Sequence, residues 1–196
     1  MRHAGGGEEL SELVGRGQAG DTDAVDELVR RLRTRIFAYV LARIGKREEA
    51  EDVTQETCLA LTSALPDFDA KSGKFTSFVF GIASNKVLMS QRSRGRRPEV
   101  PVAEVPEESS VAPGPAERYE HDDSLRRLLA QLDELPERHR DVLLLRVVAG
   151  LSADETAAAL GTTAANVRVI QHRALSSLRA RLGNGAENED ETTENS

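Results

Sequence analysis

The chain has 196 residues, a formal net charge of −7, one cysteine, no tryptophan and 4% aromatic residues. That length predicts one domain or two small ones, and a core so poor in aromatics is expected to be aliphatic and split between small helical units. The lone Cys58 excludes an internal disulfide and a cysteine-based zinc site, and His3, His121, His139 and His172 lack metal-ligand spacing, so no metal or other cofactor is expected.

In chain order, a short helix around residues 8–18 comes first. Over 23–44 the apolar positions Val25, Leu28, Val29, Leu32, Ile36, Tyr39 and Val40 follow the i, i+3, i+4, i+7 rule of an amphipathic helix. Arg30, Arg31, Arg33 and Arg35 are spread over the rest of its surface, and Gly45 stops it. A second long helix, from Arg47 to Leu65, places Ala50, Val53, Thr57, Ala60, Leu61 and Ala64 on one face; Pro66 ends it. PDFDAKSGK at 66–74 reads as a polar loop. A third helix over about 75–93 is expected to bury Phe75, Phe78, Val79, Ile82 and Ala83 before turning basic as QRSRGRR at 91–97.

Residues 98–118 hold five prolines and almost no large apolar side chain. Such a segment cannot offset its ordering entropy by burial, which predicts a flexible linker that a protease cuts first. From about Ser124 the helical pattern resumes, with one helix to about Leu135, a break at Pro136, another helix to Ala149 and a stop at Gly150. DETAAALGTTAANVRVIQHRALSSLRARL at 154–182 then reads as a helix-turn-helix. Ser152 and Glu155 form an S-x-x-E capping box for its first helix, and Thr162 or Thr163 can cap the second. Ala157 suits the close approach of two helices, Gly161 tolerates the left-handed turn, and Val167 supplies an apolar plug. A plain αα-hairpin inside a bundle is the alternative. The expected architecture is all-α: a first domain at 1–97, a linker at 98–123, a helix-turn-helix domain at 124–182 and a disordered acidic tail at 183–196.

The negative charge is confined to the segments expected not to fold. Residues 98–125 carry a net of −7 and residues 183–196 a net of −5, whereas 1–97 carry +2 and 126–182 carry +3. The second helix of the helix-turn-helix holds Arg168, Arg173, Arg179 and Arg181, with no acidic residue between 164 and 182. Mildly basic folded parts beside acidic connections fit nucleic-acid binding, and a helix of that polarity suits the DNA major groove. No apolar leader opens the chain and runs such as 142–145 are too short to span a bilayer, so no membrane insertion and a soluble cytoplasmic protein are expected.

Three segments resemble the extracytoplasmic-function (ECF) sigma factors of bacterial RNA polymerase, over nearly all of 8–182. AEDVTQETCLAL is similar to the family's polymerase-binding D-x-x-Q-E-x-F pattern, with Asp52, Gln55 and Glu56 in place. FTSFVFGIASN is similar to the F-x-x-W-L-x-x-I-A-x-N segment, with Phe78 at the tryptophan position and Asn85 intact. ELPERHRDVLLLRVVAGLSADETAAALGTTAANVRVIQHRAL resembles the second DNA-binding domain, and LRVVAGLSADETAAALG and VRVIQHRAL look like the actinobacterial SigD-like type. Gly81 departs from a usually bulky or basic residue, and Thr156 from a frequent Ile.

The resemblance implies a transcription initiation factor that binds core RNA polymerase at its β′ clamp and β flap, recognises −10 and −35 promoter DNA with separate domains, and helps melt the duplex. It also allows an anti-sigma factor as a partner, and association with the nucleoid when active. Asp52, Gln55 and Glu56 share one helix stripe by spacing alone, which is either a solvated face or, as the family implies, the polymerase contact. The loop at 66–74, with Phe68, Lys74 and Asn85, is implied to capture a base flipped out of the −10 element. Asn85 alone could equally be a capping or core amide. Arg92, Arg94, Arg96 and Arg97 suit phosphate neutralisation near melted DNA, and they also suit a helix C-terminus. On the recognition helix, Arg168, Val169 and His172 share the face that reaches base edges, while Asn166 and Arg173 fall to phosphates. Arg179 and Arg181 read equally well as solvated surface.

Two rival readings come from other classes. A helix-turn-helix regulator that is not a polymerase subunit would carry a receiver or ligand domain in place of the long first helix and the DVTQE stripe. An enzyme acting on nucleic acid would need paired carboxylates, a phosphate-binding loop or a nucleophile triad, and none can be placed.

Overall fold

The computed structural model describes residues 5–69, 74–94 and 130–193, with side chains over 9–69, 74–93 and 130–181. The expected linker at 98–123, Arg96 and Arg97 lie outside the described residues. Every regular element among the described residues is helical. Helix α1 spans Gly5–Gln18, α2 Thr22–Ile44, α3 Arg47–Ala64 and α4 Phe75–Arg94. Asp21 caps α2 by accepting the Ala24 N–H at 3.1 Å, and Gly45 closes it at φ 77°, donating to the Leu41 carbonyl. A side chain other than glycine would be strained there.

Leu28, Leu32, Ile36, Tyr39 and Val40 of α2 are buried, as their periodicity predicts. They meet Val53 and Leu61 of α3 and Val79, Phe80, Ala83 and Val87 of α4 in one aliphatic core. Tyr39 and Phe80 pack edge to face with centroids 5.8 Å apart. The reading of α4 differs from the structure in phase. Phe75, Val79 and Ala83 are buried as expected, but Phe78 and Ile82 are only half-buried and Phe80 is the fully buried ring. Residues 78–80 are apolar on consecutive positions, so periodicity alone could not say which ring faces inward.

In the second half, α5 spans Glu137–Leu143 and runs on as a wide π turn at Leu144–Val148. Helix α6 spans Ala153–Ala159 and α7 spans Ala164–Thr193. The capping box is present in both directions: Ser152 accepts the Glu155 N–H at 3.2 Å, and Glu155 accepts the Ser152 N–H at 2.8 Å. Gly161 turns the chain at φ 60°, and Thr163 caps α7 by accepting the Asn166 N–H at 3.2 Å. Ala157 and Val167 are buried against each other's helices with Val142, Ala153 and Ile170, which is the expected helix-turn-helix core. The α7 backbone continues through 183–193, where the sequence predicts disorder.

The larger difference is between the halves. Small separate cores are expected from the composition, yet Leu144, Leu145, Ala149 and Leu151 belong to the same buried cluster as α2 and α4. Arg35 is counted as surface by periodicity, but its guanidinium donates to the Ala149 carbonyl, with Nε at 2.9 Å. The helix-turn-helix unit is docked on the first domain.

Candidate nucleic-acid and polymerase interfaces

Asp52, Gln55 and Glu56 are all exposed on α3, on the side opposite the buried Ala50, Val53, Thr57 and Leu61. One face is therefore polar and exposed because the other is buried in the core. Lys86 of α4 ion-pairs with Glu56 at 2.9 Å. Leu59, 60% exposed, extends this stripe and was missed because a lone apolar residue there breaks no pattern.

The loop after α3 is held by Gln18, whose side-chain amide donates to the carbonyls of Leu65 at 3.1 Å and Phe68 at 2.6 Å. Phe68 is only 8% exposed. Its ring packs edge-on against Phe75 at 5.0 Å and tilted on Phe78 at 5.2 Å, so it lines the floor of a pocket instead of projecting as a free contact. That cavity, about 340 Å³, is lined by Phe68, Lys74, Phe78, Ile82 and Asn85 among others, and also by Ala158 of the helix-turn-helix. The structure thus brings together three of the residues expected at a −10 site: Phe68, Lys74 and Asn85. Lys74 and Asn85 are exposed. Arg92 is exposed at the end of α4, and Arg94 lies on its last turn.

Glu155 has both carboxylate oxygens engaged. Oε2 serves the capping box, while Oε1 accepts the Thr76 hydroxyl of α4 at 2.7 Å and lies 3.7 Å from the Lys74 ammonium. Burial opposes its ionisation, but the Thr76 and Ser152 hydrogen bonds and Lys74 outweigh that and hold its pKa below the usual glutamate range. A Cβ at Gly81 would meet the Ala159 carbonyl oxygen of α6 at 3.6 Å. The departure at Gly81 therefore lies where the two domains touch.

Deeper in the same interface, the Arg43 side chain is fully buried. Its Nε lies 2.8 Å from Asp141, and its Nη2 donates to Glu137 at 3.0 Å, both on α5. Tyr39 donates to Asp141 across 3.4 Å. Burial raises the Asp141 pKa despite Arg43, and burial followed by the Asp141 charge raises that of Tyr39. Arg43 itself is raised, because Asp141 and its other partners outweigh the desolvation that would lower it. Sequence pattern gave no sign of this cluster, since Arg43 reads as one more basic residue near a helix end.

On α7 the buried positions Val167, Ile170, Ala174 and Leu178 face the core, leaving Arg168, Val169, His172 and Arg173 exposed. Val169 is 47% exposed although apolar. Asn166 is exposed and partly engaged, donating from its side chain to the Thr162 hydroxyl at 2.9 Å. Arg181 is not free surface: it ion-pairs with Glu134 at 2.5 Å. Thr156, the other departure, is fully buried and its hydroxyl has no partner. Among the described residues no group of His, Cys, Asp and Glu could hold a metal ion, and no helix is long and apolar enough to cross a membrane.

A four-helix unit with a polar stripe and a lined pocket, joined to a helix-turn-helix, is the arrangement of a sigma-70-type factor. The sigma-70 region 2 model matches residues 28–97 and the sigma-70 region 4 model matches 131–180. The chain is 42% identical over 177 residues to the ECF RNA polymerase sigma factor SigD of Mycobacterium tuberculosis, covering 88% of this chain and 84% of that protein. It is 38% identical to ShbA, an ECF sigma factor of Streptomyces griseus, covering 87% of this chain and 94% of that one. Among solved structures it is similar to CnrH in complex with the cytosolic domain of CnrY, with a TM-score of 0.67 and 28% identity, over 87% of this chain and 95% of that chain. The chain belongs to the ECF RNA polymerase sigma factors. Within that family it is of the SigD-like type, and its function is to direct promoter-specific transcription initiation.

Proposed function

We propose that Asp52, Gln55 and Glu56, with Leu59 beside them, form the face that docks on the β′ clamp of core RNA polymerase, while the helix-turn-helix domain approaches the β flap. The observation that carries this is the polar stripe itself: exposed residues at i, i+3 and i+4 on a helix whose opposite face is wholly buried. Buried against basic partners, each could be worth about 2 kcal/mol on truncation. The pocket between the loop after α3 and α4 takes a base flipped from the −10 element, with Asn85 on a base edge and Lys74, Arg92, Arg94, Arg96 and Arg97 neutralising phosphates. The α7 face reads the −35 element: Arg168 pairs with a guanine edge, Val169 meets a thymine methyl, His172 lies beside them, and Asn166 and Arg173 position the backbone.

The protein makes and breaks no covalent bond; its work is recognition and strand opening, carried out in the cytoplasm on nucleoid DNA. The domains are those of the sequence reading, 1–97 and 124–182, joined by 98–123. CnrH is seen with the cytosolic domain of CnrY, and an anti-sigma partner is inferred for this chain in the same way. Changing Asp52, Gln55 and Glu56 together to Ala tests the polymerase face. The triple variant is expected to keep native helicity and lose co-purification with core polymerase. Retained binding would overturn the assignment.

A further inference from the structure

We propose that Met89 is a specificity-determining residue: its side chain meets the 5-methyl group of a thymine in the duplex just upstream of the flipped −10 base, so that this chain prefers thymine at that position. The inference rests on the −10 reading of the pocket given above and extends it along α4.

Met89 is 67% exposed, and no large apolar side chain among the described residues is more so. The other large apolar residues of α4 are buried or half-buried. A single exposed apolar residue is ordinary on a protein surface, and what singles out Met89 is its place. Phe78, Ile82, Asn85, Met89 and Arg92 follow one another in steps of four and three, which keeps them on one face of the helix. The first three line the cavity. Met89 therefore stands directly past the pocket, between the amide assigned to a base edge and an arginine assigned to phosphate. The helix-turn-helix reaches α4 at the pocket end, through Ala158 and through Ala159 beside Gly81, and Met89 lies about two turns further along.

The surroundings define what covers this side chain. Helix α4 has no acidic residue in its 20 positions and carries Lys86, Arg92 and Arg94 in its second half. Lys86 is paired with Glu56, while Arg92 is exposed. A polyanion fits that surface. A helix about 10–12 Å across also matches a major groove about 12 Å wide. Among the groups that base pairs present there, the thymine methyl is the apolar one. Met is unbranched and flexible, so it can follow such a group without a preformed pocket. Spacing agrees: Met89 lies about 6 Å beyond Asn85 along the axis, and Arg92 about 4.5 Å further. Base pairs rise about 3.4 Å each, which places Met89 one or two pairs from the flipped base. The chain leaves α4 toward the domain assigned to the −35 element, so that direction is upstream, where the DNA remains paired.

The test uses the full chain bound to core polymerase. Sequences are selected from a promoter library randomised over the −10 element and the six pairs upstream. The parent should prefer thymine at one upstream position, and Met89→Ala should lose that preference there alone. Replacing that thymine by deoxyuridine removes only the methyl group. The parent should then bind about three- to fivefold more weakly, the scale of one methyl group taken out of apolar contact. Met89→Ala should be indifferent to the change, and Met89→Leu should keep part of the penalty. Thermal melts of both variants should match the parent, as expected for an exposed position. Arg92→Ala should weaken all sequences alike and flatten the salt dependence, with the deoxyuridine penalty intact. A parent that tolerates deoxyuridine at every upstream thymine would overturn the proposal. So would a Met89→Ala protein that keeps the parental penalty or weakens every sequence equally. Asn85→Ala separates this from the pocket reading: it should change preference at the neighbouring −10 base and leave the deoxyuridine penalty in place. No change of preference in Asn85→Ala, with the penalty still dependent on Met89, would refute the pocket assignment and uphold the thymine contact.

Discussion

The two DNA-reading faces are presented in opposite ways. On α7, Arg168, Val169, His172 and Arg173 project into solvent with nothing packed over them. The pocket of Phe68, Lys74 and Asn85 is bordered by the partner domain, and its lysine is paired to Glu155. A recognition helix must expose its reading side chains to enter a groove, so folding cannot use them. A base-flipping pocket is concave, aromatic and apolar at its floor, and the same qualities make it a place for another protein surface to settle. The α7 face is therefore exposed for duplex DNA, whereas the pocket shares its wall with Ala158 of the helix-turn-helix.

The largest effect that sharpens this contrast is on stability. Phe80 lies beneath the covered side, packed on Tyr39 and under the Arg35 guanidinium at 5.6 Å. Phe80→Ala should cost about 3–5 kcal/mol in chemical denaturation, the range for deleting a buried aromatic ring. Val169→Ala on the open face should stay within about 0.5 kcal/mol of the parent. Equal losses at the two positions would mean that α7 is packed against something in the free protein, and the contrast would fail.

The second effect is on DNA binding at the open face. Arg168→Ala should cost about 1–3 kcal/mol at a single −35 position and relax the preference there. Arg173→Ala should weaken all sequences alike. Selection of bound sequences from a randomised −35 library separates the two outcomes, and matching selectivity profiles would show that α7 enters the groove on another face.

Within the covering unit, Thr156 carries a fully buried hydroxyl without a partner. Thr156→Val keeps the shape and removes the unsatisfied group, so it should raise stability by about 1 kcal/mol. Lower stability in the thermal melt would show that the hydroxyl is satisfied in solution.

What could be read from the sequence divides along the same line. Helices α2 and α3, the capping box of Ser152 and Glu155 and the turn at Gly161 were all legible, because local periodicity and backbone preference decide them. The exposed stripe on α3 and the open face of α7 followed from the same periodicity. Arg43, Arg35 and the second use of Glu155 were not legible, since their partners lie 94–114 positions away, or 79 for Thr76 and Glu155, and only tertiary docking brings them together. Phe80 was hidden for another reason: three consecutive apolar residues leave the inward phase of α4 undetermined.

The smallest effect is electrostatic and concerns the two interface carboxylates, which are displaced in opposite directions. Asp141 faces Arg43, Tyr39, Glu137 and Arg140, and burial sets its pKa above the ordinary aspartate range. Glu155 faces Thr76, Ser152 and Lys74; burial would raise it, but those partners prevail and set it below the ordinary glutamate range. A raised carboxyl contributes stability that is complete below its unfolded pKa and fades as pH rises through its folded value. A lowered one contributes stability that is complete above its unfolded pKa and fades as pH falls through its folded value. On acidification from neutral pH, Asp141 should therefore take up its proton first, with no loss to the folded state from that group. Glu155 should follow only at lower pH, and its protonation should weaken the capping box and the tie to Thr76 together. Side-chain carboxyl NMR titration of the intact protein resolves the order. Titration of Glu155 before Asp141 would mean that these contacts do not form in the free molecule.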